Sequence, residues 1–525
     1  MKKKVRISFL EIVITLLFLI ISGSLLNHSL SSAKYDKYEN INSLRGSIFS
    51  SDMNLIAVSL KKYSIYIDPK LIDWNREKEY EELIKNINLS FSFKEKFLNL
   101  NKRFVWLVRF GDENIYHTVK AYELPGIGII KEYLRVYPYE NIASNIVGFV
   151  GIDGFGLNGI EYSADKYLRN SNITIDEPLT GKDIVLTINM NLQKRVFEIM
   201  KDYYNKYRPE SISTIVLESD TGNIIAMENF PNFDPNNFKR YNIEIFKNLA
   251  ISHIDEPGST FKPLIMAYLI EKNLVNETER LNCKGTEDIN GVIIRDMENH
   301  GIVNIKDIIV KSCNIGMALF SQRLTKTEIY TILKDYGFGE KTGILLPGEE
   351  NGILRIPQKM TYASKIAISI GQEIGVTPIQ LVKAYTAITN SGIIVKPRII
   401  DRTIYNMDTI EIFPIEKEKK ILKTSTTNKI LSFMREVVTR GTGKNANIEG
   451  VWLAGKTGTA QIFDPKENKY KYTNTSFIGI IKNPKNNKYY IIYSVLRKPV
   501  GDYTGGMIAA PLVRDVGIVL LQILK

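Results

Sequence analysis

The segment Glu256-Pro257-Gly258-Ser259-Thr260-Phe261-Lys262-Pro263 decides how this chain is read. Pro257-Gly258 stops the preceding structure, Ser259 opens a helix, and Lys262 follows three residues later on the same face, one turn on. Pro263 is tolerated there because amides of the first helical turn have no intrahelical partner. Beyond it Leu264, Ile265, Met266, Ala267, Leu269 and Ile270 make the helix apolar nearly all round, which predicts the buried central helix of a domain. An ammonium at the edge of a core is desolvated and gives up its proton more easily. A neutral Lys262 amine within reach of the Ser259 hydroxyl is a general base beside a nucleophile.

Ser-x-x-Lys alone says little, since it recurs at Ser31, Ser59 and Ser163, where a solvated surface pair suffices. Ser259 differs by its company: Ser312-Cys313-Asn314 and Lys456-Thr457-Gly458-Thr459 follow in order. The ordered set Ser-x-x-Lys, Ser-x-Asn, Lys-Thr-Gly is far more specific than any one member. Two decoys are set aside. Lys341-Thr342-Gly343 repeats the third triplet amid turn-forming residues, without strand character. Gly450 to Thr457 matches the phosphate-loop pattern, but Trp452 fills the loop and Gly458-Thr459-Ala460-Gln461 is a poor helix start, so nucleotide binding is not expected.

The chain has 525 residues, 44% hydrophobic and 24% charged, which suits two or three globular domains rather than a small module or a disordered chain. Its net charge of +12 is spread among Asn and Ile along the whole length, so it reads as compositional bias and no nucleic-acid partner is expected. Two cysteines, Cys283 and Cys313, and four histidines show no metal-ligand spacing, so neither a metal, a disulfide framework nor another cofactor is expected.

Residues 7–26 form one apolar run, interrupted by Glu11, long enough for a helix to cross a bilayer, and an anchor over residues 7–27 is expected. Lys2, Lys3, Lys4 and Arg6 precede it and place residues 1–6 in the cytoplasm by the positive-inside rule. Ser32 and Ala33 would allow a cleaved signal peptide, but the run exceeds the usual signal core, so an uncleaved anchor is expected, with no second run of that length. Residues 28–180, with strand-like runs at Val105–Phe110 and Ile146–Val150, are expected to form a non-catalytic support domain. Residues 181–525 follow a loop-forming stretch near 168–182. In them a helix around Leu192–Tyr203, hairpins at 213–227 and 476–496 and a C-terminal apolar helix predict an α+β domain. Its antiparallel sheet is closed by both ends of the segment and carries helices on both sides.

The chain resembles the class B penicillin-binding proteins, membrane-anchored peptidoglycan D,D-transpeptidases, over nearly its whole length. Beyond the three motifs, the resemblance rests on Arg45-Gly46-Ser47-Ile48, residues 135–162, Ser369 to Pro378, Gly441-Thr442-Gly443-Lys444, Ser476 to Gly479 and Ala509-Ala510-Pro511. It departs where the Asp-Arg-Asn-Gly continuation after Ile48 is missing and where Cys313 stands for the more usual Ser or Ala. The resemblance implies Ser259 as nucleophile, Lys262 as base and Ser312 as proton carrier. Asn314, Lys456, Thr457, Gly458 and Thr459 would bind substrate, with the backbone amides of Ser259 and Thr459 as oxyanion hole. It further implies D-Ala-D-Ala stem peptides and an acceptor amine as substrates, β-lactams as inhibitors, and a polytopic glycan polymerase with other divisome membrane proteins as partners. Residues 28–180 show no glycosyltransferase site of the bifunctional class, and no Glu with an Asn four residues on lies between Ser312 and Lys456, as a class A β-lactamase would need. An intact nucleophile, base and carboxylate-binding set speak against an inactive scaffold, and no signalling domain supports a β-lactam sensor. Glu256 and Asn314 favour a division-type over an elongation-type enzyme. The topology has a direct test: a reporter fused after residue 40 is expected to be active only outside the cytoplasm, and recovery of a mature chain beginning near Lys34 would overturn the anchor.

Overall fold

The computed structural model describes residues 44–98, 100–169, 180–464 and 469–524. The anchor expected at 7–27 and most of the loop near 168–182 lie outside the described residues. The chain divides into two compact units: Gly46–Val58, Arg135–Leu168 and the stretch from Lys182 onward cluster together as the second, and the intervening segments form the first unit.

The first unit has a core of its own. Strand Val105–Gly111, where an extended run is expected, pairs antiparallel with Leu55–Ile67. Helices Glu77–Asn86 and Glu113–Tyr122 contribute Tyr80, Leu83 and Val119 to a cluster with Ile65, Ile67, Phe93 and Phe97. Asp112 caps the second helix by accepting from the Ile115 amide.

In the second unit, the expected strand at Ile146–Val150 is instead a buried helical turn, Ser144–Val147, ended by Gly148 at a φ of +75°. A short apolar run has no period long enough to separate buried strand from buried helix. Nearby, buried Arg135 donates to Glu161 at 2.7 Å and to the Gly46 carbonyl at 2.9 Å, so two segments on which the family resemblance rests, residues 45–48 and residues 135–162, meet at one side chain.

The core of this unit is a five-stranded antiparallel sheet. In chain order its principal elements are α1 (Met190–Tyr207), β1 (Ser211–Glu218), β2 (Ile224–Phe230), α2 (Lys262–Glu271), α3 (Ile305–Lys311), α4 (Asn314–Ser321), α5 (Pro378–Thr389), α6 (Thr424–Thr439), β3 (Leu453–Asp464), β4 (Lys469–Lys482), β5 (Tyr489–Arg497) and α7 (Ala510–Ile523). The strand order is β3-β4-β5-β1-β2, so the first and last hairpins of the unit close one sheet, as expected. Strand alternation sends Ile212, Val216, Phe477 and Ile492 to one face, against Leu192, Val196 and Met200 of α1 and Leu512, Val513 and Val516 of α7. Ile215, Leu217, Ile478 and Ile491 go to the other, against Leu264–Leu269 of α2, Ile379–Ile388 of α5 and Ile430–Val437 of α6. Every described side chain of α2 from Lys262 to Leu269 is buried, which is why its sequence lacks a polar face. The stretch Gly505–Ile523 is also apolar and long enough to cross a membrane, but 56% of it is buried inside the molecule, so it serves as a core helix.

One buried ion pair ties these layers together. Asp255, just before the Pro-Gly turn, accepts from Arg497 of β5 at 2.8 Å and from Asn474 of β4 at 2.9 Å, and Arg497 also donates to Ser213 of β1. Burial raises the Asp255 pKa, but the Arg497 guanidinium outweighs it and holds the carboxyl down at about 2. Arg497→Ala strands that carboxylate and is expected to cost about 3–5 kcal/mol, against under about 0.5 kcal/mol for Arg195→Ala at an exposed pair. Because the folded pKa is depressed, Asp255's contribution is complete above its unfolded pKa near 4 and fades as pH falls through about 2. Denaturant melts of wild type and both variants at neutral and acid pH check the ranking; equal losses in the two variants would refute it.

Candidate active site

Three elements present the three motifs. Gly258–Phe261 is a single tight 3-10 turn leading into α2, with Pro263 at the helix start. The turn is held from outside: the Gly258 amide donates to the Gly371 carbonyl at 2.9 Å and Tyr385 donates to the Thr260 carbonyl at 2.6 Å. Gly371 has a φ of +82°, and a Cβ there would stand 2.0 Å from the Gly258 carbonyl oxygen. Only glycine permits both the conformation and the approach.

Ser312 ends α3 in the left-handed conformation, at a φ of +63°, and Cys313 caps α4 by accepting from the Gly316 amide. The second motif is thus a hinge between two short helices, and a non-glycine residue with positive φ is uncommon enough to mark the spot. The third motif lies in β3, paired residue for residue with β4. Because Gly455-Lys456-Thr457 sit within a strand and no helix follows, the phosphate-loop pattern is without its structure, and Lys341-Thr342-Gly343 lies in a loop as expected.

Five of the expected residues form one hydrogen-bonded cluster. Lys262 Nζ donates to Asn314 Oδ1 at 2.6 Å, to the Ser312 carbonyl, and at 3.4 Å to Ser312 Oγ. Lys456 Nζ donates to the same Ser312 Oγ at 2.8 Å and to the Thr457 carbonyl at 3.1 Å. Thr457 Oγ1 is 2.8 Å from Thr442 Oγ1. Ser312 therefore stands between two lysines, both fully buried. Ser259, half-buried, makes no side-chain hydrogen bond among the described residues. Thr459 is exposed, and its hydroxyl accepts from the Gly505 amide at 3.1 Å. The Ser259 turn and Thr459 run alongside each other, a Cβ on Gly258 lying 3.5 Å from the Thr459 carbonyl oxygen.

Burial pushes both lysines down. Lys262 stands at about 8, the Asp296 carboxylate offsetting part of its desolvation. Lys456 is pushed well below the usual lysine range, by burial and then by the charge of Lys262. Among the described residues no carboxylate bonds Lys456, and two buried ammonium groups sharing one hydroxyl would repel.

Sequence reasoning missed Asp296. Its Oδ1 accepts from the Asn314 amide at 2.5 Å and its Oδ2 from the Ile315 amide at 3.1 Å, anchoring the second motif at the start of α4. Asn314 Nδ2 donates to the Arg295 carbonyl at 2.9 Å, so the same loop holds its side chain too. No motif includes Asp296, and only the folded loop brings it there.

A five-stranded antiparallel sheet covered on both faces, with Ser-x-x-Lys, Ser-x-Asn and Lys-Thr-Gly gathered at one edge strand, is the layout of the penicillin-binding transpeptidases. The chain belongs to that family: residues 212–517 match the Penicillin binding protein transpeptidase domain, and residues 40–174 match the Penicillin-binding Protein dimerisation domain. It is 31% identical over 428 residues to Stage V sporulation protein D of Bacillus subtilis, covering 76% of this chain and 65% of that protein. It is 31% identical over 460 residues to penicillin-binding protein PbpB of Mycolicibacterium smegmatis, covering 81% of this chain and 70% of that protein. With peptidoglycan D,D-transpeptidase FtsI of Buchnera aphidicola it shares 29% over 563 residues, covering 98% and 94% of the two chains. Among solved structures, penicillin binding protein 3 of Mycobacterium tuberculosis complexed with aztreonam is similar at a TM-score of 0.73 and 26% identity, over 92% of this chain and 96% of that one.

Gly458 offers a structural test of the arrangement. A Cβ there would stand 2.3 Å from Ser476 Oγ, 2.9 Å from Thr260 Cγ2 and 3.2 Å from the Pro257 carbonyl oxygen. Gly458→Ala is expected to push β3 off the turn and to cost about 1–3 kcal/mol. Covalent labelling by a fluorescent penicillin should fall more than melting temperature predicts, and unchanged labelling would show that the strand and turn need not touch.

Proposed function

We propose that this protein is a peptidoglycan D,D-transpeptidase that cross-links stem peptides through an acyl-enzyme on Ser259 and is acylated there by β-lactams. The observation that carries the reading is the convergence of Lys262 and Lys456 on one hydroxyl, that of Ser312. Ser259 Oγ attacks the carbonyl of the penultimate D-Ala while Lys262, as free amine, takes its proton. The bond to the terminal D-Ala nitrogen breaks, and Ser312 passes a proton to that leaving amine. An acceptor amine then attacks the ester, forming the cross-link and regenerating Ser259; water in its place would give carboxypeptidase activity. The backbone amides of Ser259 and Thr459 would hold the oxyanion. Asn314 keeps a second lone pair on Oδ1 and a second N–H on Nδ2 for the substrate amide.

The ionisation of the two lysines supplies the order of events. Both lysines are held down by burial, and Lys456 feels the charge of Lys262 besides. A substrate carboxylate arriving at Lys456, Thr457 and Thr459 restores the Lys456 proton. That new charge, sharing a hydroxyl with Lys262, drives Lys262 toward the free amine the attack needs. Substrate binding thereby prepares the base.

The wider assignment follows the family. The reading has residues 1–6 cytoplasmic, 7–27 as anchor, 28–180 as support and 181–525 as the extracytoplasmic catalytic domain. Glu256 and Asn314, with the FtsI relatives, favour septal synthesis beside a glycan polymerase and other division proteins.

Arginine cannot release its proton at physiological pH. Lys262→Arg is therefore expected to abolish penicillin acylation as fully as Ser259→Ala, while Lys456→Arg keeps a measurable fraction. In the wild type the acylation rate should rise with pH through about 8, as Lys262 loses its proton, and the rise should move to lower pH in Lys456→Arg. Acylation rates of the three variants across pH decide it. Equal residual rates in the two arginine variants would sink Lys262 as base.

A further inference from the structure

Behind the second motif lies a cluster that the reaction does not use. Asp296 Oδ2 is 3.1 Å from Cys283 Sγ and 3.2 Å from Cys313 Sγ, and these are the only two cysteines in the chain. A ring nitrogen of His300, the Cys283 sulfur and an Asp296 oxygen all lie within 4.8 Å of one another. Both sulfurs are buried, and the His300 side chain is only 6% exposed. The four groups come from separate places: strand Leu281–Cys283, the end of strand Val292–Arg295, the turn before strand Gly301–Val303, and the cap of α4. That is why their spacing in the sequence gave no sign of them.

We propose that Cys283, Cys313, Asp296 and His300 bind one divalent cation, zinc being the ion that fits the donor set best. Two soft thiolate sulfurs, a borderline imidazole and one hard carboxylate oxygen are all ligand types that zinc accepts, and four of them without an open position make a structural rather than a catalytic site. Bond lengths of about 2.0 Å to nitrogen or oxygen and about 2.3 Å to sulfur put neighbouring ligand atoms of a tetrahedron about 3.5 Å apart. The sulfur–oxygen separations need to open by a few tenths of an ångström, and His300 needs to close by up to about 1.3 Å on Cys283 and Asp296 and further on Cys313, which lies outside their 4.8 Å group and joins through Asp296. Both sulfurs converge on the carboxylate oxygen between them, which favours a shared ion over a bond from one sulfur to the other.

Charge also permits it. Two thiolates, a carboxylate and a dication sum to the same formal charge as two thiols and a carboxylate. Lys262 would therefore meet an unchanged net charge, while binding releases two protons. Asp296 Oδ1 stays on the Asn314 amide, so the ion would fasten the loop that holds Asn314 and, through it, Lys262.

Cobalt(II) titration of the reduced full-length protein in detergent tests the site. One equivalent should give thiolate-to-cobalt charge-transfer bands and tetrahedral visible bands, both removed by zinc. Cys283→Ser and His300→Gln should each weaken uptake by more than about tenfold, whereas Ser259→Ala should leave it unchanged. Penicillin labelling of the two ligand variants shows whether they remain folded, and zinc should raise the melting temperature of the wild type but not of Cys283→Ser. Absence of the bands, equal uptake by wild type and both ligand variants, or a Cys283–Cys313 disulfide with no cobalt uptake after reduction would each overturn the proposal. The cobalt readout is independent of transpeptidation, so its failure would leave the proposed reaction standing.

Discussion

Arg497 reaches from the middle of the molecule to the residue that precedes the nucleophile turn. Its guanidinium holds Asp255, which also takes a bond from Asn474, and it spreads a further bond to Ser213. Three strands of the sheet are thereby fixed to one carboxylate, and that carboxylate sets where Pro257-Gly258-Ser259 can lie. A buried pair of this kind is weak evidence for stability, since its desolvation cost offsets most of its attraction. Its value here is positional. Asp255 is bonded directly from β4 and β5, and through Arg497 it is tied to β1, so the turn is aligned to the sheet and not merely to its own helix. The rest of the site inherits that alignment: β3 is paired to β4 along its length, and Gly458 slides beneath the turn with no room for a Cβ.

The sequence made some of this legible because the relevant signals are local. Ser-x-x-Lys and the apolar run after it define a buried helix with two functional groups at its mouth, and the two late hairpins alternate with period two around turn residues. Ile146–Val150 failed because four or five apolar residues carry no period, and a preceding buried Asn145 and a following Gly148 at positive φ settle it as a helical turn only once tertiary packing is known. Asp255, Arg497 and Asp296 were silent for a different reason. A single charged residue reads as surface unless its partner is in view, and these partners lie far off along the chain or in the backbone of another loop.

The burial of Lys262 was legible in the apolar run that follows it, whereas the burial of Lys456 was not. A lysine that holds a carboxylate is reasonably taken as a permanent cation, yet in this fold Lys456 is buried beside Lys262, with Ser312 Oγ between them. Burial depresses each of them first, and the charge of Lys262 adds to the depression of Lys456. At this spacing two ammonium groups would repel each other, and the spacing is a consequence of the strand register of β3 against the hinge at Ser312.

The hinge itself completes the argument. Ser312 takes a left-handed conformation, which a residue other than glycine adopts at a cost, and it is held there from both sides. On one side Lys262 bonds its carbonyl; on the other Asp296 takes the two amides that follow Cys313. Removing either support would let the hinge relax, and with it the hydroxyl that both lysines share. The loop carrying Asp296 is therefore as much a part of the chemistry as the motif it supports, because it fixes the distance over which the two lysines feel each other.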